Sequence, residues 1–221
     1  MITPTNHSVE TKCLEQAVNQ FDFKDFKMSI NQPTGDFFYD PWVIKPEFKE
    51  TIWEKILNSL PEKQGEARII TLTPGTSYLC HADVDDRWHL NLQSEQGYLC
   101  DLERRKIYLL RTDGIWYSMD AGGLHTACNF GSKDRIQLVV RQLLQRNALK
   151  DSITVSITLK DKVIDYRYQF DQHISPWLNR ANKNKIISEF VFLETEVRFS
   201  LEREFFSELE KIVPKIFEIT S

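Results

Sequence analysis

Four cysteines in 221 residues, at positions 13, 80, 100 and 128, are too few and too scattered to staple a fold, and no Cys-x-x-Cys pair offers a zinc site. Reduced thiols in a cytoplasmic compartment are the expectation. No apolar run approaches the roughly 20 residues that a membrane-spanning helix needs. The first seven residues lack the charged start and apolar stretch of a secretory signal, so neither a leader nor a membrane partner is expected. Basic blocks are also missing. The longest is Arg104-Arg105-Lys106, and the net charge is −4, which argues against nucleic acid as a partner. There is no internal repeat and no low-complexity tract. What remains is an ordinary folding composition, 41% hydrophobic and 27% charged, long enough for one domain with elaborations.

The chain divides by pattern into three stretches. Residues 1–66 read as a helical and strand elaboration. Apolar positions 9, 13, 14, 17, 18 and 21 have helical spacing, with Ser8 as a cap. Phe37–Tyr39 reads as a short strand, and Pro46 opens a helix running to Leu60. Residues 67–145 change period. Short strands are predicted near 69–73, 76–83, 86–93, 96–102, 106–111, 115–119, 124–130 and 135–143, separated by turn residues. That rhythm predicts an antiparallel jelly roll, so the chain as a whole is expected to be mainly β with flanking helices. Residues 146–221 read as a small α+β appendage that covers the barrel or mediates a homodimer. In it, 153–159 and 163–170 form a hairpin, 176–178 a short helix, 185–197 a strand and 201–217 a helix.

Only five histidines are present, and three of them fall at 81, 89 and 125. In a strand, residues i and i+2 share a face, so His81 and Asp83 converge on one point. His125 from a distant strand would complete a two-histidine, one-carboxylate set, the ligand pattern of a mononuclear iron(II) centre with open positions. Each element also has a plainer reading: a lone His-x-Asp is common, and a histidine in a β-rich run is more often hydrogen-bonded than metal-bound. Arg135 heads the apolar strand Ile136–Val140, where a guanidinium either points to solvent or takes an anion such as a carboxylate. Arg87 and His89 share a face too. Either they contact an anion beside the metal, or Arg87 pairs with Asp85 or Asp86 on the surface.

With these residues in view, the sequence resembles the aspartyl/asparaginyl β-hydroxylase family of 2-oxoglutarate-dependent iron(II) oxygenases, most closely its proline 3-hydroxylase-like branch. The resemblance covers roughly residues 69 to 141. It rests on Pro74-Gly75-Thr76, His81, Asp83, Arg87-Trp88-His89, Trp116, Asp120, His125-Thr126-Ala127-Cys128-Asn129-Phe130 and Arg135. It implies a double-stranded β-helix, a cupin-like jelly roll. It further implies Fe(II) held by His81, Asp83 and His125, 2-oxoglutarate anchored by Arg135 with Arg87 and His89 near its other end, and O2 as oxidant. The family often carries a hydroxyl on the strand before the Pro-Gly turn; Ile69-Ile70-Thr71 offers no clear counterpart. The implied activity is hydroxylation of a C–H bond in an amino acid or amino-acid-like small molecule, or of Asp, Asn or Pro in a peptide. A non-catalytic jelly roll that senses a metal or a small acid, and a cupin-like enzyme with another metal and no oxo acid, are the competing classes. Asp36, Tyr39, Trp42, residues 84–86 and Arg141 are the substrate-selecting candidates.

Overall fold

The computed structural model describes residues 1–20, 27–160 and 165–221. The chain opens with β1 (Ile2–Ser8), α1 (Thr11–Asn19), β2 (Lys27–Ser29), β3 (Asn31–Pro33), β4 (Trp42–Ile44) and α2 (Ile52–Leu57). Then follow β5 (Ala67–Leu72), β6 (Arg87–Gln93), β7 (Gly97–Asp101), β8 (Lys106–Leu109), β9 (Ile115–Met119), β10 (His125–Asn129) and β11 (Arg135–Arg141). The last third holds β12 (Ser152–Leu159), α3 (Tyr166–His173), α4 (Ser175–Lys183), β13 (Ile187–Phe192), β14 (Glu196–Glu202), α5 (Phe206–Ile212) and β15 (Phe217–Thr220).

Among the described residues, one sheet has the strand order β1-β9-β6-β11-β5-β2 and a smaller one the order β10-β7-β8. From β5 the chain crosses to the small sheet at 77–81, returns as β6, crosses again for the β7–β8 hairpin, and returns as β9. It visits the small sheet once more as β10 before closing with β11. This alternation is the winding of a jelly roll. The large sheet is apolar on one side: Leu90, Leu92, Trp116, Ile136, Leu138 and Val140 pack with Leu14 of α1 and Ile56 of α2. Its other side faces the small sheet, where Leu72 and Met119 meet Leu99 and Ala127.

The predicted strand at 76–83 is reduced to two isolated bridges, Ser77 to Cys128 and His81 to His125. It leaves the ladder because the next backbone donors are taken elsewhere: Ala82 N–H by Asp171 O and Asp83 N–H by Ala121 O. Residues 37–39 form a turn instead of a strand, because Asp36 Oδ1 accepts from the N–H groups of Phe38 and Tyr39. The helix expected from Pro46 to Leu60 is a single 3-10 turn (Pro46–Phe48) followed by α2, broken at Glu50, whose φ is +59°. Thr51, not the first turn, caps α2 by accepting from Trp53 N–H at 3.2 Å. Ser8 does not cap α1; it ends strand β1, whose largely polar residues hide their pairing with β9. Phe21, counted on the first helix face, lies outside the described residues.

The C-terminal third departs most from expectation. Positions 163 and 164 lie outside the described residues, and the rest of the expected hairpin partner is helix α3, capped by Asp165. The single strand at 185–197 is a hairpin, β13–β14, and β14 runs on to Glu202 through buried Val197, Phe199 and Leu201. That leaves only α5 of the expected helix 201–217, with β15 after Pro214. The four-stranded sheet β13-β14-β12-β15 and the helices share one core with Phe38, Tyr39, Val84 and Leu144. No helix among the described residues is long and apolar enough to cross a membrane.

Candidate metal centre

His81, Asp83 and His125 come together although Asp83 lies off the ladder. Their ligand atoms all fall within 4.8 Å of one another. Asp83 Oδ2 is the hub, 3.9 Å from His81 Nε2 and 3.8 Å from His125 Nε2. Each imidazole has its other nitrogen on a backbone carbonyl: His81 Nδ1 to Leu79 O at 2.9 Å, and His125 Nδ1 to Gly123 O at 2.8 Å. A carbonyl only accepts, so each Nδ1 carries the hydrogen. Both Nε2 lone pairs are left for a metal. Burial pushes the His125 pKa down to about 4 against the pull of Asp83, so the ring is neutral at pH 7. Burial alone would raise the Asp83 pKa, but the Arg87 guanidinium, with His81 and His125, holds it well below the usual carboxylate range.

The glycines before His125 serve close packing. A Cβ on Gly122 would lie 2.3 Å from Asn179 Oδ1 of α4, and Asn179 Nδ2 in turn donates to Val84 O and Asp86 Oδ1. One helix thus pins both the loop after Asp83 and the turn before His125.

Arg87 is not the free anion anchor expected. It is also not on the surface: it is buried between two carboxylates. Nη2 and Nε donate to Asp83 at 2.7 and 3.3 Å, and Nη1 donates to Asp85 at 3.1 Å. The remaining oxygen lone pairs of Asp83 face the histidines, since a carboxylate has about four acceptor positions. Arg141 is likewise committed, to Asp85 at 2.5 Å and to the Phe37 carbonyl, with its guanidinium 4.0 Å from the Phe37 ring centroid. These four side chains form a buried network behind the triad.

His89 and Arg135 behave differently. Both His89 nitrogens, both polar atoms of Asn91, Gln137 Nε2, and Arg135 Nε and Nη2 are buried without a hydrogen-bond partner. They share one face of the large sheet, because Gln137 pairs with Asn91 and Val139 with His89. Burial, with Arg135, His125 and Arg87 nearby, pushes the His89 pKa down to about 3, so it is neutral. Burial pushes Arg135 down to about 10, which leaves it charged at neutral pH. Its side chain passes over Gly97, where a Cβ would lie 2.4 Å from Arg135 Cδ. A glycine inside a strand marks such an approach, so that signal was present in the sequence.

A cavity of about 820 Å³ opens over the triad, lined by His89, Gln137 and Val139 of the large sheet and by Leu99 and Ala127 of the small one. Arg135 is not among the lining residues; it lies further along the same face of β11. The cavity is also walled by Asp165, Arg167, Tyr168 and Asp171, from α3 and its cap, and by Phe37 and Phe38. None of these six was singled out from sequence. Of the expected selectors, Val84, Asp85 and Arg141 line the cavity, whereas Asp36, Tyr39 and Trp42 do not: Asp36 caps its turn, and the Tyr39 hydroxyl accepts from Phe190 N–H. Trp116, Asp120 and Asn129, which carried part of the resemblance, have structural partners. Trp116 Nε1 donates to Ser59, Asp120 pairs with Arg104 and Lys183, and Asn129 ties Leu72 O to Lys133 O. Thr71 sits opposite Ile136 on the helix-packed face, so it is not the missing hydroxyl.

No known protein family matches the chain. No curated protein matches it either. Among solved structures, the crystal structure of CapF with the inhibitor 3-isopropenyl-tropolone overlaps 37% of this chain at 15% identity and a TM-score of 0.31. The overlap takes in only a quarter of that protein's own length. The class is therefore defined by this chain's own fold and site: a jelly roll carrying a His–Asp–His cluster able to hold a metal ion.

Proposed function

We propose that this protein is a 2-oxoglutarate- and iron(II)-dependent oxygenase that hydroxylates a C–H bond of an amino acid or amino-acid-like substrate. The observation that carries the reading is the row of orphaned buried groups, His89, Asn91, Gln137 and Arg135, running along one sheet face from the triad. A buried guanidinium with two unpartnered nitrogens calls for an anion, and neutral side-chain donors beside it suit carboxylate oxygens. The donor set therefore fits a dicarboxylate with one end at the metal and the other at Arg135. The triad's neutral nitrogens and ionised oxygen fit a divalent cation. The sequence resemblance to the aspartyl/asparaginyl β-hydroxylase family points the same way.

His81, Asp83 and His125 would hold iron(II), and Arg135 would take the distal carboxylate of 2-oxoglutarate. When bound, the pair would supply oxidative decarboxylation of 2-oxoglutarate to succinate and carbon dioxide coupled to hydroxylation, with one atom of O2 going to succinate and the other to the substrate hydroxyl. The protein's own part is positioning. Arg87 keeps Asp83 ionised and aimed, and the carbonyls of Leu79 and Gly123 fix both imidazole tautomers. His89, neutral, has one N–H for a carboxylate oxygen. α3 and Phe37–Phe38 wall the cavity over the metal ligands. Peptidyl Asp, Asn or Pro as substrate is the second reading, favoured by the volume of the cavity.

Anaerobic titration of the apoprotein with iron(II) and 2-oxoglutarate tests this. A weak visible charge-transfer band should require both additions. It should vanish in His125→Ala and need far more 2-oxoglutarate in Arg135→Ala. An iron-loaded wild type without the band would leave a binding or sensing jelly roll.

A further inference from the structure

We propose that the cavity contains a second anion subsite, formed by Arg68 of β5 and Lys27 of β2, which takes the carboxylate of a small substrate. Calling that ligand a substrate rests on the oxygenase reading; the subsite itself rests on the strands that build it.

Arg68 and Lys27 both line the cavity. Arg68 pairs in register with Val139, which pairs with His89, so Arg68 lies two strands from His89 on the cavity face. Two strand spacings are about 10 Å, a distance that a small organic acid can bridge. Arg135 lies four residues from Val139 along β11, at the other end of the row, so the two cations would not compete for one carboxylate. Lys27 sits opposite Ile70, beside Arg68 on the same strand pair.

The cavity's charged side chains balance as a whole, but its remaining carboxylate, Asp165, caps α3, so cations exceed carboxylates locally at Arg68 and Lys27. Arg68 Nη1 is 3.6 Å from Glu66, and Arg68 Nε is buried with no hydrogen-bond partner. Glu66 also accepts from Ser29 Oγ. Among the described residues Lys27 has no ion-pair partner, so two cations face one carboxylate. The other cavity cations are committed: Arg87 and Arg141 to Asp83 and Asp85, and Arg167 to Asp171 at 2.8 Å. Burial pushes both Arg68 and Lys27 below their ordinary pKa, the direction expected where a counter-ion is lacking. Phe37, Ile70 and Tyr168 supply apolar and aromatic wall nearby, suited to the body of an organic acid.

Crystals soaked in bromide would locate the subsite through anomalous scattering. In protein loaded with zinc and 2-oxoglutarate, a bromide peak should remain at Arg68 and Lys27. Acetate should displace it and acetamide should not. The peak should be lost in Arg68→Met and weakened in Lys27→Met, a change at a more exposed position that keeps the test valid if Arg68→Met folds poorly. No peak at Arg68 in the wild type overturns the proposal. So does loss of the 2-oxoglutarate-dependent band in Arg68→Met, which would make Arg68 the oxo acid's own anchor. Failure of the oxygenase reading is separate: the wild type would lack the band while bromide still bound at Arg68.

Discussion

Two arginines on the same face of the same strand, Arg141 and Arg135, are equally buried and six residues apart, yet one is fully committed and the other is not. Arg141 is enclosed by Asp85, the Phe37 carbonyl and an aromatic ring. Arg135 Nε and Nη2 have no hydrogen-bond partner. Burying a charge without a partner is costly, and a fold retains such a group only where something outside the chain completes it. The difference separates scaffold from site more sharply than burial or motif does. Arg87 belongs with Arg141: its position beside the metal ligands suggested an anion contact, and its partners make it a strut.

The comparison can be broken first at the metal. A divalent cation at about a hundredfold above its dissociation constant should stabilise the wild type by about 2.7 kcal/mol and His125→Ala hardly at all, read as a shift in melting temperature. If the variant gains as much, the ion binds elsewhere. Next, Arg87→Met should destabilise the apoprotein by about 3–5 kcal/mol in urea unfolding, because it strands Asp83 and leaves Asp85 with Arg141 alone. Arg135→Met should have the opposite sign, a gain of about 1–2 kcal/mol without ligand, while its 2-oxoglutarate affinity falls more than tenfold. A loss of stability in Arg135→Met would mean that the guanidinium has a partner after all.

Acid sharpens the same contrast. His89 has its pKa lowered to about 3, against 6.5 in the unfolded chain. The unfolded state therefore binds the proton first, and stability is lost as pH falls from 6.5 toward 3, by up to about 1.4 kcal/mol per pH unit. His89→Phe should flatten that limb of the pH–stability curve relative to wild type. The smallest effect belongs to the exposed pair Arg203–Asp151, where Arg203→Ala should cost less than about 0.5 kcal/mol.

The jelly roll was legible because strand alternation and turn residues are local, and the triad because i, i+2 spacing places His81 and Asp83 together even where the ladder lapses. What the sequence hid depends on distant partners. Nothing around Arg87 distinguishes a buried fork on Asp83 and Asp85 from a surface pair. Residues 166–170 have aromatic and polar residues that suit strand or helix, and only the Asp165 cap and packing on Phe192 and Phe217 decide for helix. The cavity-facing side of β5 shows one arginine ahead of Ile70 and Leu72, and its role emerges only when β2 and β11 lie beside it.

The backbone bridge between the two histidines has a consequence for timing. His81 and His125, 44 residues apart in the chain, exchange both N–H···O bonds, at 2.9 and 2.8 Å, on a segment otherwise joined to the small sheet by a single further bridge. The same two residues are thus both ligands and the clasp of a weakly laddered edge. An ion shared by their side chains closes a ring through that clasp, and local opening must then break metal bonds as well as hydrogen bonds. The amide hydrogens of His81 and His125 should exchange with solvent markedly more slowly once metal is added, while those of β11 change little, so two backbone protons report occupancy without any assay of turnover.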